Sequence, residues 1–373
     1  MSVKFISNPL GFGQGVFYLT LALLIASCTP QLDKTTAEEF KMSIAGKAQG
    51  TTYSISYYDL KERNLKIQVD SLLKAVDLSI STYVNGSVID RWNKSSDGAM
   101  VDRMFLEVLA ESWSAYQASE GAFDPTIKPL VAYWGFGPEK FTHPEQADSA
   151  QIAELLNLVQ FDSLSFAEAP IGDQLSEMFI SGKYPDSLFL NKPDSMMEID
   201  FNAVGQGWSV DKVAELLESL DIDRYFIEIG GEIKAGRPKP SGEYWKFGVD
   251  KPEPDLAKRE LQAIVSLRSR GLATSGNYRK FYERNGIRYA HTIDPSTGFP
   301  TNHSLLSATV VAPTAAEADA MATAYMVMGK DSAVDFLADK EYLSNYIYLI
   351  YDSAGVLKTY TSEGLKNMID QDL

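Results

Sequence analysis

One cysteine and three histidines (His143, His291 and His303) are all the thiol and imidazole that 373 residues offer. Intramolecular disulfides and cysteine-rich zinc sites are excluded on that count, and a His-based metal centre has little room, so any metal should be held by oxygen. Basic residues are also scarce, 34 against 50 acidic, for a formal net charge of −16. Broad attraction to nucleic acid or anionic lipid is unfavourable at that balance, and no nucleic-acid partner is expected. A polyanionic ligand would need local compensation. The apolar run Val16 to Ala26 is too short to cross a bilayer, which takes about 20 such residues. Hydrophobic residues make up 45% of the chain, enough for a packed interior, so disorder is not the default.

The same run has the size of a signal-peptide core and ends in Ile25-Ala26-Ser27-Cys28. Small residues directly ahead of the only cysteine resemble a bacterial lipobox, in which the cysteine is acylated and becomes the first residue of the mature protein. The expected organisation is a leader over 1–27, a lipid-anchored linker over 28–45 and a single folded body over 46–373. Cys28 would tether that body to a bacterial membrane. Thr29 to Lys41 is polar and lacks an apolar face, as a linker does.

Within the body, Gly50 to Asp59 alternates like a strand, and Lys66 to Ser79 returns apolar residues at helical spacing. Met104 to Ala118 predicts a second helix and His143 to Val159 a third, whereas Asp162 to Lys192 reads as an irregular surface excursion. Met196–Ile199 predicts a short strand and Ser209–Ser219 a helix. Strands are expected over Tyr225–Lys234, Trp245–Asp250, Leu261–Leu267 and Leu305–Ala312, with a hairpin around Arg284-Asn285-Gly286. Thr314 to Met328 predicts a helix opened by a Thr314-x-x-Glu317 capping box and stopped at Gly329. Segregated strand and helix runs argue for α+β with largely antiparallel sheets and packed helices.

Four segments carry residues that folding alone does not require. Gly121-Ala122-Phe123-Asp124-Pro125-Thr126, with Trp134-Gly135-Phe136-Gly137 after it, combines close backbone approach with planar surfaces, or is a pair of turns with core aromatics. Asp200 to Trp208 runs through Gly205-Gln206-Gly207 into a helix, where backbone N–H groups near both glycines could hold phosphate oxygens; Asp200 reads equally as a capping carboxylate. His291 stands before the Asp294-Pro295 turn and is the leading general-base candidate, although a lone histidine is more often structural. Asp319 and Thr323 are i,i+4 on one helix face and are hard oxygen donors suited to magnesium, or else a hydroxyl satisfied by its own helix beside a solvated carboxylate.

In this order, together with Gln49-Gly50-Thr51, Ser81-Thr82-Tyr83, Ile229-Gly230-Gly231-Glu232 and Ser275-Gly276-Asn277-Tyr278, these segments resemble the FAD:protein FMN transferases, the ApbE-like flavin transferases. The resemblance covers about residues 48–330 and implies two lobes around a flavin cleft. It implies FAD contacts from Tyr83, Ala122, Phe123, Asp124, Asp200, Gln206 and Ile293. It also implies a Mg2+ site from the Ala203 carbonyl, Asp319 and Thr323, with His291 near the transferred phosphoryl group. Two positions depart: Gln49 replaces the methionine usual before Gly-Thr, and Gln206 stands where lysine or glutamate is common.

The implied reaction moves FMN from FAD to a Thr or Ser hydroxyl of an acceptor protein, with AMP leaving and magnesium required. The expected acceptor is a membrane redox-complex subunit or periplasmic domain. The implied location is the periplasmic side of the membrane, the inner one by family habit. Two alternatives keep the same residues: a Mg2+-dependent FAD pyrophosphatase giving FMN and AMP, and a non-catalytic FAD-binding lipoprotein.

Overall fold

A computed structural model describes residues 39–137, 147–167, 169–253, 260–278, 281–284, 287–340 and 344–372. The expected leader, Cys28 and His143 lie outside these residues. Glu39–Leu373 forms one compact unit. Its frame is an eight-stranded sheet in the spatial order Phe40–Ala48, Thr51–Asp59, Tyr225–Ile229, Glu232–Ala235, Arg270–Gly276, Leu305–Ala312, Tyr346–Ser353, Val356–Thr361. Every neighbouring pair is antiparallel; three of the seven connections are tight turns and the other four are long excursions that carry the helices and the smaller sheets. The tightest are two-residue turns. Gln49-Gly50 joins Ala48 to Thr51 with both central residues at positive φ (52° and 71°), and Gly230-Gly231 joins Ile229 to Glu232 at 67° and 116°. Such turns match strand twist, and glycine adopts them without steric cost.

The central strands are covered on both faces. From Leu305–Ala312, Val310 packs into the main helical core while Val311 faces a second cluster with Trp245, Val265 and Leu267. That second cluster lies under a three-stranded sheet of Trp245–Asp250, Leu261–Leu267 and Ile369–Asp372. The helix Ala315–Met328 is buried nearly all round, from Ala315 to Met326. Its alanines let it sit against Arg270–Gly276, Leu305–Ala312 and the helix Gly205–Glu218. Thr314 caps it as the sequence implies, its Oγ1 accepting from Glu317 N–H at 3.1 Å.

Several expectations need correction. Residues 40–45, assigned to the linker, form the edge strand of the main sheet; Ile44 packs into the core opposite Ile55, which a polar linker reading overlooked. The supposed excursion over Asp162 to Lys192 is ordered: it holds a helix, Ile171–Ser181, and a strand, Ser187–Asn191, paired with Gly98–Asp102. Ile171 and Leu175, i,i+4 on that helix, are fully buried, and Gly182 ends it at φ 63°. Met196–Ile199 is not a strand. It runs without a ladder, and the Asn93 side-chain amide serves in place of one, donating Nδ2–H to Ile199 O (2.9 Å) while Oδ1 accepts Ile199 N–H (2.8 Å). Tyr225–Lys234 is two strands, broken at Gly230-Gly231.

Candidate active site

The helix Gly205–Glu218 enters the site through its two glycines. A Cβ on Gly207 would stand 2.3 Å from Ala315 O and 2.8 Å from Asp319 Cβ, so only glycine allows the two buried helices to touch here. The contact is chemical as well as steric, because Gly207 N–H donates to Asp319 Oδ2 at 3.1 Å. Gly205 N–H is also committed, to Phe201 O at 2.7 Å. These two N–H groups therefore do not form the expected free phosphate cradle; the helix start spends them on its own fold and on Asp319.

Burial raises the Asp319 carboxyl to about 7, against the opposing pull of the Gly207 bond. Among the described residues no basic side chain contributes to that balance. A buried carboxylate so placed is stabilised by a cation, and the Thr323 hydroxyl one turn on and the Ala203 turn just ahead of Gly205 are the further oxygen donors that the resemblance names. The donor set is hard, and it fits magnesium. Among the described residues no three His, Cys, Asp or Glu side chains group as metal ligands, and a site of one carboxylate, one hydroxyl and one carbonyl is not of that kind.

On the other side of the helix start, Gln206 is half-buried and its Nε2 lies over Gly230, 2.7 Å from where a Cβ would be, with Thr51 Cγ2 beside it. Gln49 Nε2 donates to Ser209 Oγ (2.6 Å), and Ser209 Oγ–H donates to Gly205 O (2.6 Å). The hairpin tip at Gln49-Gly50 is thus pinned to the same helix. Both departures from the family pattern, Gln49 and Gln206, face this one junction.

Asp124 and Asp200 are brought together by backbone. Asp200 N–H donates to Pro125 O at 2.8 Å, and the Lys128–Glu198 ion pair ties the same two segments. Asp124 is nearly buried and accepts Thr126 N–H (2.7 Å) and Oγ1–H (2.6 Å); burial still pushes its carboxyl up to about 6. Asp200 is no helix cap, since its oxygens accept from Asn202 N–H (2.8 Å) and Nδ2–H (3.0 Å). Phe123 is a core residue, 3% exposed, so its ring offers no planar surface; half-buried Ala122, Asp200 and Gln206 and the 65% exposed Tyr83 are the accessible members of the expected flavin set.

His291 follows the strand Ile287–Ala290 and is half-exposed, its ring edge-on to Phe136 at 6.3 Å. Around it Phe136, Tyr282, Tyr289 and Trp134 stack in series, and Trp134 Nε1–H closes on Gly298 O at 2.8 Å. Ile293 is buried in this cluster and bridges Pro300, so its side chain belongs to the packing of the loop.

Sequence reasoning missed Asn93, Lys192 and Glu111. Lys192 is buried, sits 5.0 Å over the Trp92 ring and donates to Asn93 O (3.0 Å) and Met197 O (3.1 Å), bracing the segment that ends in Asp200. Glu111 lies between helices near Asp211 and Glu317, and burial followed by those charges raises its carboxyl to about 8. No local pattern marks these three, because each is defined by partners far along the chain.

Comparison with known proteins adds an independent line. Residues 49–347 match the model of the ApbE family. A curated FAD:protein FMN transferase of Haemophilus influenzae is 33% identical over 92% of this chain and 95% of the relative. Its counterpart in Salmonella typhimurium is 31% identical over 95% and 97%. The solved structure of the flavin transferase ApbE from Vibrio cholerae has a TM-score of 0.72 at 28% identity, covering 88% of this chain and 99% of that one. The apo flavinyl transferase ApbE of Pseudomonas stutzeri gives 0.74 at 27%, over 90% and 99%.

Proposed function

Because the chain belongs to the ApbE family, we propose that it is a Mg2+-dependent enzyme that moves FMN from FAD to a Thr or Ser hydroxyl of an acceptor protein and releases AMP. FMN transfer from FAD to a protein is the activity for which the relatives are named. The observation that carries the finer reading is Asp319, a buried carboxylate with no basic partner among the described residues, held by Gly207 beside a turn that presents Ala203.

The acidic chain must receive a pyrophosphate. Magnesium, when bound, neutralises the pyrophosphate and polarises phosphorus. Asp319, Thr323 and the Ala203 carbonyl would hold it, and Gly207 N–H fixes which Asp319 oxygen remains available. Tyr83, Ala122, Asp124, Asp200, Gln206 and the Ile293 backbone would line the FAD site, with Phe123 supporting it from the core. His291 would accept the acceptor hydroxyl's proton as that oxygen bonds to the FMN-side phosphorus and the phosphoanhydride bond to AMP breaks. Phe136, edge-on to the His291 ring, and Tyr282, Tyr289 and Trp134 beyond it would form the wall behind the imidazole.

The proposal extends to a lipoprotein acylated at Cys28 on the periplasmic face of a bacterial membrane, where a membrane redox-complex subunit or periplasmic domain is the acceptor. The lipobox-like Ile25-Ala26-Ser27-Cys28 supports it. No helix of the described residues is long and apolar enough to cross a membrane. Incubating the protein with FAD, Mg2+ and a candidate acceptor should give a fluorescent acceptor heavier by one FMN. Release of FMN and AMP with acceptor present but unmodified would make the protein a pyrophosphatase. FAD bound and left intact would make it a flavin carrier.

A further inference from the structure

The loop that carries His291 is held from outside at two places, by Trp134 at Gly298 and by Asn277 at both of its limbs. Asn277 lies one residue beyond the strand Arg270–Gly276, and its backbone N–H extends the pairing of that strand by donating to Leu306 O at 3.0 Å. Its position is therefore set by the eight-stranded sheet. Its side chain is 7% exposed and spans both limbs of the His291 loop. Oδ1 accepts Thr292 Oγ1–H at 2.7 Å, and Nδ2–H donates to Thr301 Oγ1 at 3.2 Å. The limbs are joined to each other by Thr301 N–H on Thr292 O (2.9 Å) and Asp294 N–H on Phe299 O (2.9 Å), while the tip at Pro295–Thr297 has exposed residues.

We propose that Asn277, acting through Thr292, is a positioning residue for His291 in the transfer reaction. This rests on the assignment of His291 as the base. The physical reason is leverage: Thr292 is bonded directly to His291, is itself 6% exposed, and ties its side chain to the sheet rather than to the loop. Releasing that tie frees the residue next to the imidazole while leaving the loop's own bonds in place. A displacement near 1 Å at a reacting group costs about 100-fold in rate.

The test uses the full chain with FAD, Mg2+ and acceptor. Thr292→Val keeps the side-chain volume and removes the hydroxyl, Thr292→Ser keeps the hydroxyl, and Asn277→Leu removes both polar contacts at similar size. Thr292→Val and Asn277→Leu should each lower kcat at least 10-fold with KM for FAD changed less than twofold, and Thr292→Ser should stay within threefold of wild type. In a His291→Ala background, where residual transfer is followed over long incubations, Thr292→Val should cause no further loss, since there is no imidazole left to position. Wild-type kcat in Thr292→Val, a loss that multiplies with His291→Ala, or a loss confined to FAD affinity would each overturn the proposal while leaving the transferase reading intact. Absence of transfer by the wild-type protein itself would remove both.

Discussion

The contact at Gly207 allows a quantitative prediction. In Gly207→Ala the new methyl group meets backbone, Ala315 O at 2.3 Å and Ala315 C at 2.7 Å, together with Asp319 Cβ at 2.8 Å. None of these is the free end of a flexible side chain, so the helices Gly205–Glu218 and Ala315–Met328 must move apart. Overpacking of this kind costs about 1–3 kcal/mol. Separation also stretches the 3.1 Å bond from Gly207 N–H to a buried carboxylate, worth about 1.5–3 kcal/mol. Alanine's better helix propensity returns about 1 kcal/mol. The net expectation is a loss of about 3 kcal/mol, or roughly 5 °C in Tm for a body of this size. Gly205→Ala is the matched control: its Cβ would crowd Ile80 Cδ1 at 3.2 Å, a side-chain end that can turn away, and would meet Phe201 Cβ at an ordinary 3.8 Å. Thermal melts of both variants in chelator-treated buffer measure the packing effect without metal. If Gly207→Ala melts within 1 °C of Gly205→Ala, the close approach is not a constraint on the fold and the reasoning fails.

Other outcomes follow from the same geometry. Asp319→Asn keeps an acceptor for Gly207 N–H but removes the charge, so FMN transfer should fall at least 100-fold at saturating Mg2+ with the fold retained; transfer at the wild-type rate would refute the metal assignment. For Glu111 the carboxyl sits near 8 in the fold against 4.5 unfolded, so the native state holds an extra proton between those values and stability falls as pH rises through that window, levelling above 8. Glu111→Gln should remove that slope and be more stable than wild type at pH 8 by about 2 kcal/mol, allowing for solvent reaching a half-buried side chain; parallel pH–denaturation curves would contradict it. Gln206→Ala should weaken FAD binding by about 1 kcal/mol through one or two lost hydrogen bonds, read by titration. Gln206→Lys should lessen the Mg2+ demand of that binding, and no change in either variant would show that Gln206 does not face the ligand.

Local chemistry was enough to announce some of this protein and not the rest. The Thr314 cap, the Gly329 stop and the strand Leu305–Ala312 were legible because capping and alternation act within a few residues of sequence. The pairing of Asp319 with Thr323 on one face follows from helix periodicity alone, and so does its suitability for a hard cation. What sequence periodicity could not reveal is what meets across the fold. Asp162 to Lys192 reads as irregular because Pro170, Gly172, Gly182 and Pro185 divide it into short elements, and these are held by packing on Gly98–Asp102 and the helix Arg103–Ala118. Gly207 looked like a phosphate-cradle glycine, yet its N–H is taken by a carboxylate 112 residues away. Asn93 clamping Ile199 and Asn277 clamping Thr292 are likewise contacts between distant segments. The sequence by itself determined which residues can bind a cation, take a proton or cap a helix, since those properties belong to side chains and their near neighbours. Only the tertiary structure decided which donors and acceptors were left free for a ligand, because a buried polar group takes whichever partner the packing of distant elements brings within reach.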